Sequence, residues 1–219
     1  MSDQYFHVSD WLPTLASASG IHLNLTAKID GVDQWKHLSK NCGNKRKEVL
    51  HNIDEISGYS SYTLGAWKYV NGTRLNGLYD TWLGDIGNET IPNFSFENYV
   101  ERVVRSPTSR ALSRFWQKSN NTKYNTIKNL QKKIIIKCNS VKSNCDPLKA
   151  PCLFNIRDDP CEYNNLANEY PLVLAELQRN VNYYFQTLVP SLVQPSDSNA
   201  NPALHDNVWT SWLDTTRSI

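Results

Sequence analysis

The chain has 219 residues, 40% of them hydrophobic, with seven Trp and eleven Tyr, which suits a packed core and excludes a disordered polypeptide. Its 23 Lys and Arg against 21 Asp and Glu leave a formal charge of +2, too even for the general basic surface that nucleic-acid binding requires. No apolar run reaches membrane-helix length, and the clusters Lys45-Arg46-Lys47 and Lys132-Lys133 read as solvated faces.

Taken in order, Phe6 to Leu15 (FHVSDWLPTL) predicts a helix. Ser9 or Asp10 supplies the cap, Pro13 fits the first turn, Gly20 ends the run, and Trp11, Leu12, Leu15 and Ala16 form its buried face. Ile29-Asp30-Gly31-Val32-Asp33-Gln34-Trp35 follows, then Arg46 to Asp54 (RKEVLHNID), which reads as a strand. Tyr62 to Val70 (YTLGAWKYV) places a Gly between apolar runs, the local sign of a hairpin. Between Asn71 and Ser119 the turns at Asn71-Gly72 and Asn76-Gly77 precede a polar loop from Asn88 to Ser95. Helical spacing of Tyr99, Val103, Leu112 and Phe115 then appears, interrupted at Pro107. Ser119 to Asn129 is polar and Asn-rich, and Ile134-Ile135-Ile136 predicts a β-branched strand ending at Cys138.

The clearest element order lies between Pro151 and Pro190. Leu153, Phe154 and Ile156 alternate with polar Asn155 and Arg157 as in a half-buried strand. Asp158-Asp159-Pro160 makes a turn. From Pro171, Val173, Leu177, Val181, Tyr184 and Leu188 recur at helical spacing until Pro190. After Pro190 the segment from Val193 to Ile219 lacks strong periodicity and reads as extended, with Trp209 and Trp212 expected to pin it down.

Two signals point to the secretory pathway. Asn24, Asn71, Asn88, Asn93 and Asn120 each open an Asn-x-Ser/Thr glycosylation acceptor. Cys138, Cys145, Cys152 and Cys161 crowd one stretch as disulfide candidates in any of three pairings, without the spacing of a zinc site, and Cys42 is left over. Met1 to Phe6 nevertheless lacks the basic and apolar regions of a signal peptide. The combination leads us to expect a piece of a longer chain.

Leu-Phe-x-Ile-x-x-Asp-Pro-x-Glu-x-x-Asn-Leu-Ala over 153–167, with a helix after it and Cys152 and Cys161 around it, resembles the C-terminal subdomain of arylsulfatase B-like (N-acetylgalactosamine-4-sulfatase-like) sulfatases. His7-x-Ser9-Asp10-Trp11-Leu12-Pro13-Thr14-Leu15, Ile29-Asp30-Gly31-x-Asp33 and the strand after Arg46 are similar to family motifs in the family's order. Gly65-x-Trp67-Lys68 resembles the family's strand-pair turn. The resemblance covers the chain except about residues 71–130, where members carry a variable insertion.

It implies an α+β fold: a small antiparallel sheet packed by a C-terminal helix, preceded by a remnant of the large alkaline phosphatase-like α/β domain. Residues 1–60 would end that N-terminal domain, and 61–219 would form the C-terminal subdomain. The implied activity is sulfate ester hydrolysis on sulfated sugars, in the lysosome or outside the cell, by a formylglycine made from Cys-x-Pro-x-Arg with calcium orienting the sulfate. Such a hydrated aldehyde can expel its own sulfate, while cations neutralise the transferring group. The nucleophile and calcium ligands would lie in the N-terminal sulfatase domain, the implied partner, so this segment alone is expected to be inactive. Cys145-x-Pro147-x-Lys149 has Lys where the motif needs Arg and reads as a disulfide cysteine; Asp158-Asp159 reads as a turn and not a calcium pair. No residue here is assigned to catalysis or to metal. His7 and His51 are candidates for the border of the full active site, while His22, His37 and His205 carry no motif. The alternative is a non-catalytic secreted glycoprotein serving as a binding or decoy domain.

Overall fold

Four antiparallel strands in the order β1-β2-β3-β4 form the centre of the fold: β1 (Glu48–Asp54), β2 (Tyr59–Leu64), β3 (Trp67–Asn71) and β4 (Cys152–Asn155). With the helices around them they make the expected α+β architecture. The computed structural model describes residues 4–24, 28–43, 45–78, 96–116, 120–134, 136, 138, 143–193 and 196–213. Contacts divide the chain into one unit of Met1–Gln186 and a second of Thr187–Ile219.

The β2–β3 hairpin turns on Gly65 and Ala66, with Gly65 at φ +58°, the sign that a two-residue type II′ turn demands at its first position. Side chains of a sheet alternate between its faces. Tyr62, Tyr69 and Leu153 therefore share one face, and α6 (Pro171–Gln186) covers it with Leu177 and Val181, one helical turn apart and both buried. Burying such side chains stabilises by about 1.5–3 kcal/mol each. The same face holds a polar cluster: Tyr62 and Tyr184 hydroxyls donate to the two oxygens of Glu48, and Asn180 Nδ2 donates to the Tyr62 hydroxyl. Burial and the adjacent Glu48 carboxylate push the Tyr184 hydroxyl up to about 12.

β1 does not alternate simply. Leu50 pairs with Tyr62 and Asn52 with Ser61, so His51 stands out of the ladder as a β-bulge. The extra residue lets Leu50 and Ile53, three apart, both face the core under α6.

Several sequence expectations change. β4 is buried on both faces, with Cys152, Leu153 and Phe154 all covered, rather than half-buried. Of the strand expected over Ile134-Ile135-Ile136, Ile134 instead ends a helix, α5 (Asn120–Ile134), whose last turn is rich in the helix formers Leu, Gln and Lys. Ile136 is exposed, and Ile135 lies outside the described residues. α3 (Phe96–Arg105) and α4 (Pro107–Trp116) flank the break at Ser106, with Pro107 in the first turn that tolerates it. The buried positions of α3 are Val100 and Val104, not Tyr99 and Val103. In the second unit short 3₁₀ turns at Ser198–Ala200 and Pro202–Leu204 replace the extended chain. Trp209 is 79% exposed, and Trp212 donates its indole N–H to Asp197 of the same unit.

Candidate functional site

The N-terminal motifs converge on one carboxylate. α1 (Trp11–Ala18) is preceded by a 3₁₀ turn of Val8–Asp10, and Asp10 is completely buried. It accepts hydrogen bonds from the backbone N–H of His7 at 2.9 Å and of Val32 at 2.8 Å. Arg46 completes a two-pronged ion pair, its Nε donating at 2.8 Å and its terminal nitrogen to the other oxygen. Arg46 also reaches the Asp30 carbonyl at 2.9 Å. Burial alone would raise the Asp10 carboxyl, but Arg46 and the two backbone donors hold it well below the ordinary range. Gly31 completes the fit, since a Cβ there would stand 2.2 Å from the Ser9 carbonyl oxygen. One buried carboxylate thus joins the segments around His7, Val32 and Arg46.

Residues of the later motifs also meet. Lys68, of the Gly-x-Trp-Lys turn, pairs with Glu162, of Asp-Pro-x-Glu, at 2.5 Å across 94 positions of sequence. Glu162 sits at φ +57°, an unusual backbone for a non-glycine residue, directly after Cys161. Asn165 Oδ1 accepts from the N–H groups of Leu153 and Ala167, both at 3.0 Å, and so fastens the loop to β4. Asp159 accepts from the Asn164 N–H, and Asp158 from Asn155 Nδ2: the acidic pair serves the turn.

The two candidate border histidines lie near each other. His51, on its bulge, shares a 2.7 Å hydrogen bond between Nε2 and Thr63 Oγ1. Thr63, Lys68 and Phe154 form a row across three strands, on the face away from α6. Burial first, then the nearby Lys68 and His7, push the His51 imidazole toward its neutral form, and Glu162 opposes them. His7 caps the 3₁₀ turn, its Nδ1 accepting from the Ser9 N–H at 3.3 Å and lying 2.8 Å from the Ser9 hydroxyl. Tyr5 approaches the same end of the sheet by donating to the Gly65 carbonyl. His51, Lys68, Glu162 and His7 thus lie within electrostatic reach of one another, with the Lys68 ammonium paired to the Glu162 carboxylate.

The four clustered cysteines pair as Cys138–Cys161 and Cys145–Cys152, with Cα separations of 5.6 and 5.8 Å, and Cys42 is free and exposed. Cys145 is thereby held in a disulfide. Asn24 is exposed, Asn71 ends β3 half-buried and Asn120 opens α5; Asn88 and Asn93 lie outside the described residues. Among the described residues no three His, Cys, Asp or Glu side chains converge as a metal site. No described helix is long and apolar enough to cross a membrane.

Residue-level reading of the sequence singled out His7 and His51 but not their surroundings. Lys68 and Glu162 stood in the motifs, yet nothing in either motif pairs them, and Asp10 stood in its motif and as a candidate helix cap with nothing to link it to Arg46.

In sequence the chain is similar to a C-terminal portion of the sulfatases. Arylsulfatase J of Mus musculus is 27% identical over 221 residues, taking in 94% of this chain and 30% of that protein, so the chain spans about a third of the curated relative's length. No family model matches the chain. A solved chain described under "Metabolism of multiple glycosaminoglycans by bacteroides thetaiotaomicron is orchestrated by a versatile core genetic locus (BT33336S-sulf)" is 14% identical, over 80% of this chain and 24% of that one, with a TM-score of 0.38. At that score the likeness carries no argument.

Proposed function

We propose that the chain is the C-terminal part of a sulfuric ester hydrolase acting on sulfated sugars in the secretory pathway, lysosomal or extracellular. The observation that supports this most is that the residues carrying the resemblance are joined in space: Asp10 to Arg46, and Lys68 to Glu162. In this reading residues 1–60 complete the large α/β domain, 61–219 form the C-terminal subdomain, and an N-terminal sulfatase domain is the partner. His7 and His51 then border the active site, where His51 and Lys68 would meet the anionic substrate. Calcium in the parent enzyme would orient the sulfate; the described residues here do not fit such a site, and no step of this chain runs through one. Two disulfides and the Asn-x-Ser/Thr acceptors are in keeping with an oxidising compartment.

The chain by itself is expected to hydrolyse no sulfate ester, because no Cys-x-Pro-x-Arg occurs in it and Cys145 is disulfide-bonded. Sequencing the transcript upstream of Met1 and assaying both products on a chromogenic aryl sulfate tests the reading. An in-frame extension with Cys-x-Pro-x-Arg and sulfate release by the extended protein alone are expected. A stop codon directly before Met1 would overturn it in favour of a non-catalytic glycoprotein with a binding or decoy role.

A further inference from the structure

The near-neutral charge of the whole chain conceals a strong asymmetry. From Phe96 to Ile134, over α3, α4 and α5, the sequence carries nine Lys and Arg against Glu97 and Glu101, a net of +7, while the whole chain totals +2. The remainder is therefore at −5. The mutual repulsion of so many cations in one small module costs stability unless an anion offsets it.

The helices gather some of these charges at one corner. Val100 and Val104 are buried, and Arg102 and Arg105, three residues apart, lie together on an exposed side of α3. Arg110 of α4 donates its Nε to the Arg105 carbonyl at 3.1 Å, which brings a third guanidinium to that corner. Glu101 pairs with Arg105, an exposed contact worth little. The negative end of the α3 dipole explains cations at its last turn, but not those elsewhere in the module. On α5, which packs against α3, Lys128 lies 5.9 Å over the Tyr124 ring, and Lys132 and Lys133 are exposed in the last turn. Tyr99 of α3 is 42% exposed, an apolar ring face beside the arginines. Guanidinium groups bind oxyanions in two-pronged fashion, and an exposed tyrosine can stack on a sugar ring.

We propose that the α3–α5 module is a binding surface for a sulfated polysaccharide, holding chain sulfates and carboxylates outside the catalytic site. The choice of a glycan over another polyanion rests on the sulfated-sugar reading above; the charge and geometry do not.

The test is chromatography of the 219-residue chain on immobilised heparin, followed by titration with a heparin oligosaccharide and, separately, inorganic polyphosphate at several salt concentrations. Binding to heparin is expected, weakening steeply with salt. Replacing Arg102, Arg105 and Arg110 together by Gln should lower the slope of log affinity against log salt by about 2–3, as loss of three phosphate-type contacts would. A Lys132→Gln/Lys133→Gln pair should lower it by about 1–2, and serves if the triple variant fails to fold by circular dichroism. The control Lys45→Gln/Lys47→Gln should bind as the wild type does. Absence of heparin binding, unchanged binding in the module variants, or equal affinity for polyphosphate would each overturn the proposal. No step reads hydrolysis, so a chain that binds heparin yet belongs to no active enzyme would refute the sulfatase reading and leave this surface standing.

Discussion

Asp10 shows how one residue can carry a motif. Its carboxylate is buried, ionised, and bonded to Arg46, His7 and Val32. Breaking a buried pair from one side leaves the other charge uncompensated. Asp10→Asn should therefore destabilise the fold by about 3 kcal/mol at neutral pH, measured by denaturant unfolding. The pH dependence has a definite sign. A carboxyl depressed in the fold stabilises fully above its unfolded value near 3.9, and the benefit is lost as pH falls toward its folded value. The gap between wild type and variant should thus narrow below about pH 4. An equal gap at pH 3 and pH 7 would show that the charge is not responsible. None of this was legible beforehand: a helix-capping Asp and an arginine 36 positions later give no hint that they meet.

At the scale of elements, legibility followed periodicity. α6 and the β2–β3 hairpin were plain because their apolar spacing and turn glycine agree with the structure. β1 hid its bulge, because Leu50 and Ile53 at odd spacing look like opposite faces until a residue is taken out of the count. Ile134 was read into a strand because three β-branched residues in a row outweighed the helix formers before them, whereas it ends α5. α1 was placed correctly but its apolar face was not: Trp11, Leu12 and Leu15 are each more than half exposed, with Val8 and Ile21 beside them, and only Ala16 is buried. A contiguous apolar face of this kind promotes association. Leu12→Ser/Leu15→Ser should reduce self-association in sedimentation velocity while leaving the melting temperature within a few degrees, since these side chains contribute little burial to lose. A large fall in melting temperature would mean that the face is covered in the isolated chain.

For the molecule as a whole, the two disulfides tie together the chain that leads up to Glu162, the partner of Lys68 in β3. Cys138–Cys161 closes 23 residues and Cys145–Cys152 closes 7, stabilising by roughly 3 and 2 kcal/mol through the restricted unfolded chain. Cys138 is exposed and Cys152 completely buried, so graded reduction should open the first bond before the second. Alkylation read by mass spectrometry should label Cys42, then Cys138 and Cys161, and last Cys145 and Cys152. Labelling of the last pair first would contradict the packing described. Sequence alone could not choose among three pairings, because the choice depends on where β4 brings Cys152.

The bulge at His51 also bears on how this gene can change. Taking one codon out of a regular strand turns every later side chain to the wrong face. Here the pairs on either side of His51, Leu50 with Tyr62 and Asn52 with Ser61, are already in continuous register. A three-nucleotide deletion at this position would close the ladder and keep Leu50 and Ile53 under the helix. The imidazole would go while the sheet stays, so a single in-frame event could remove this histidine without losing the fold.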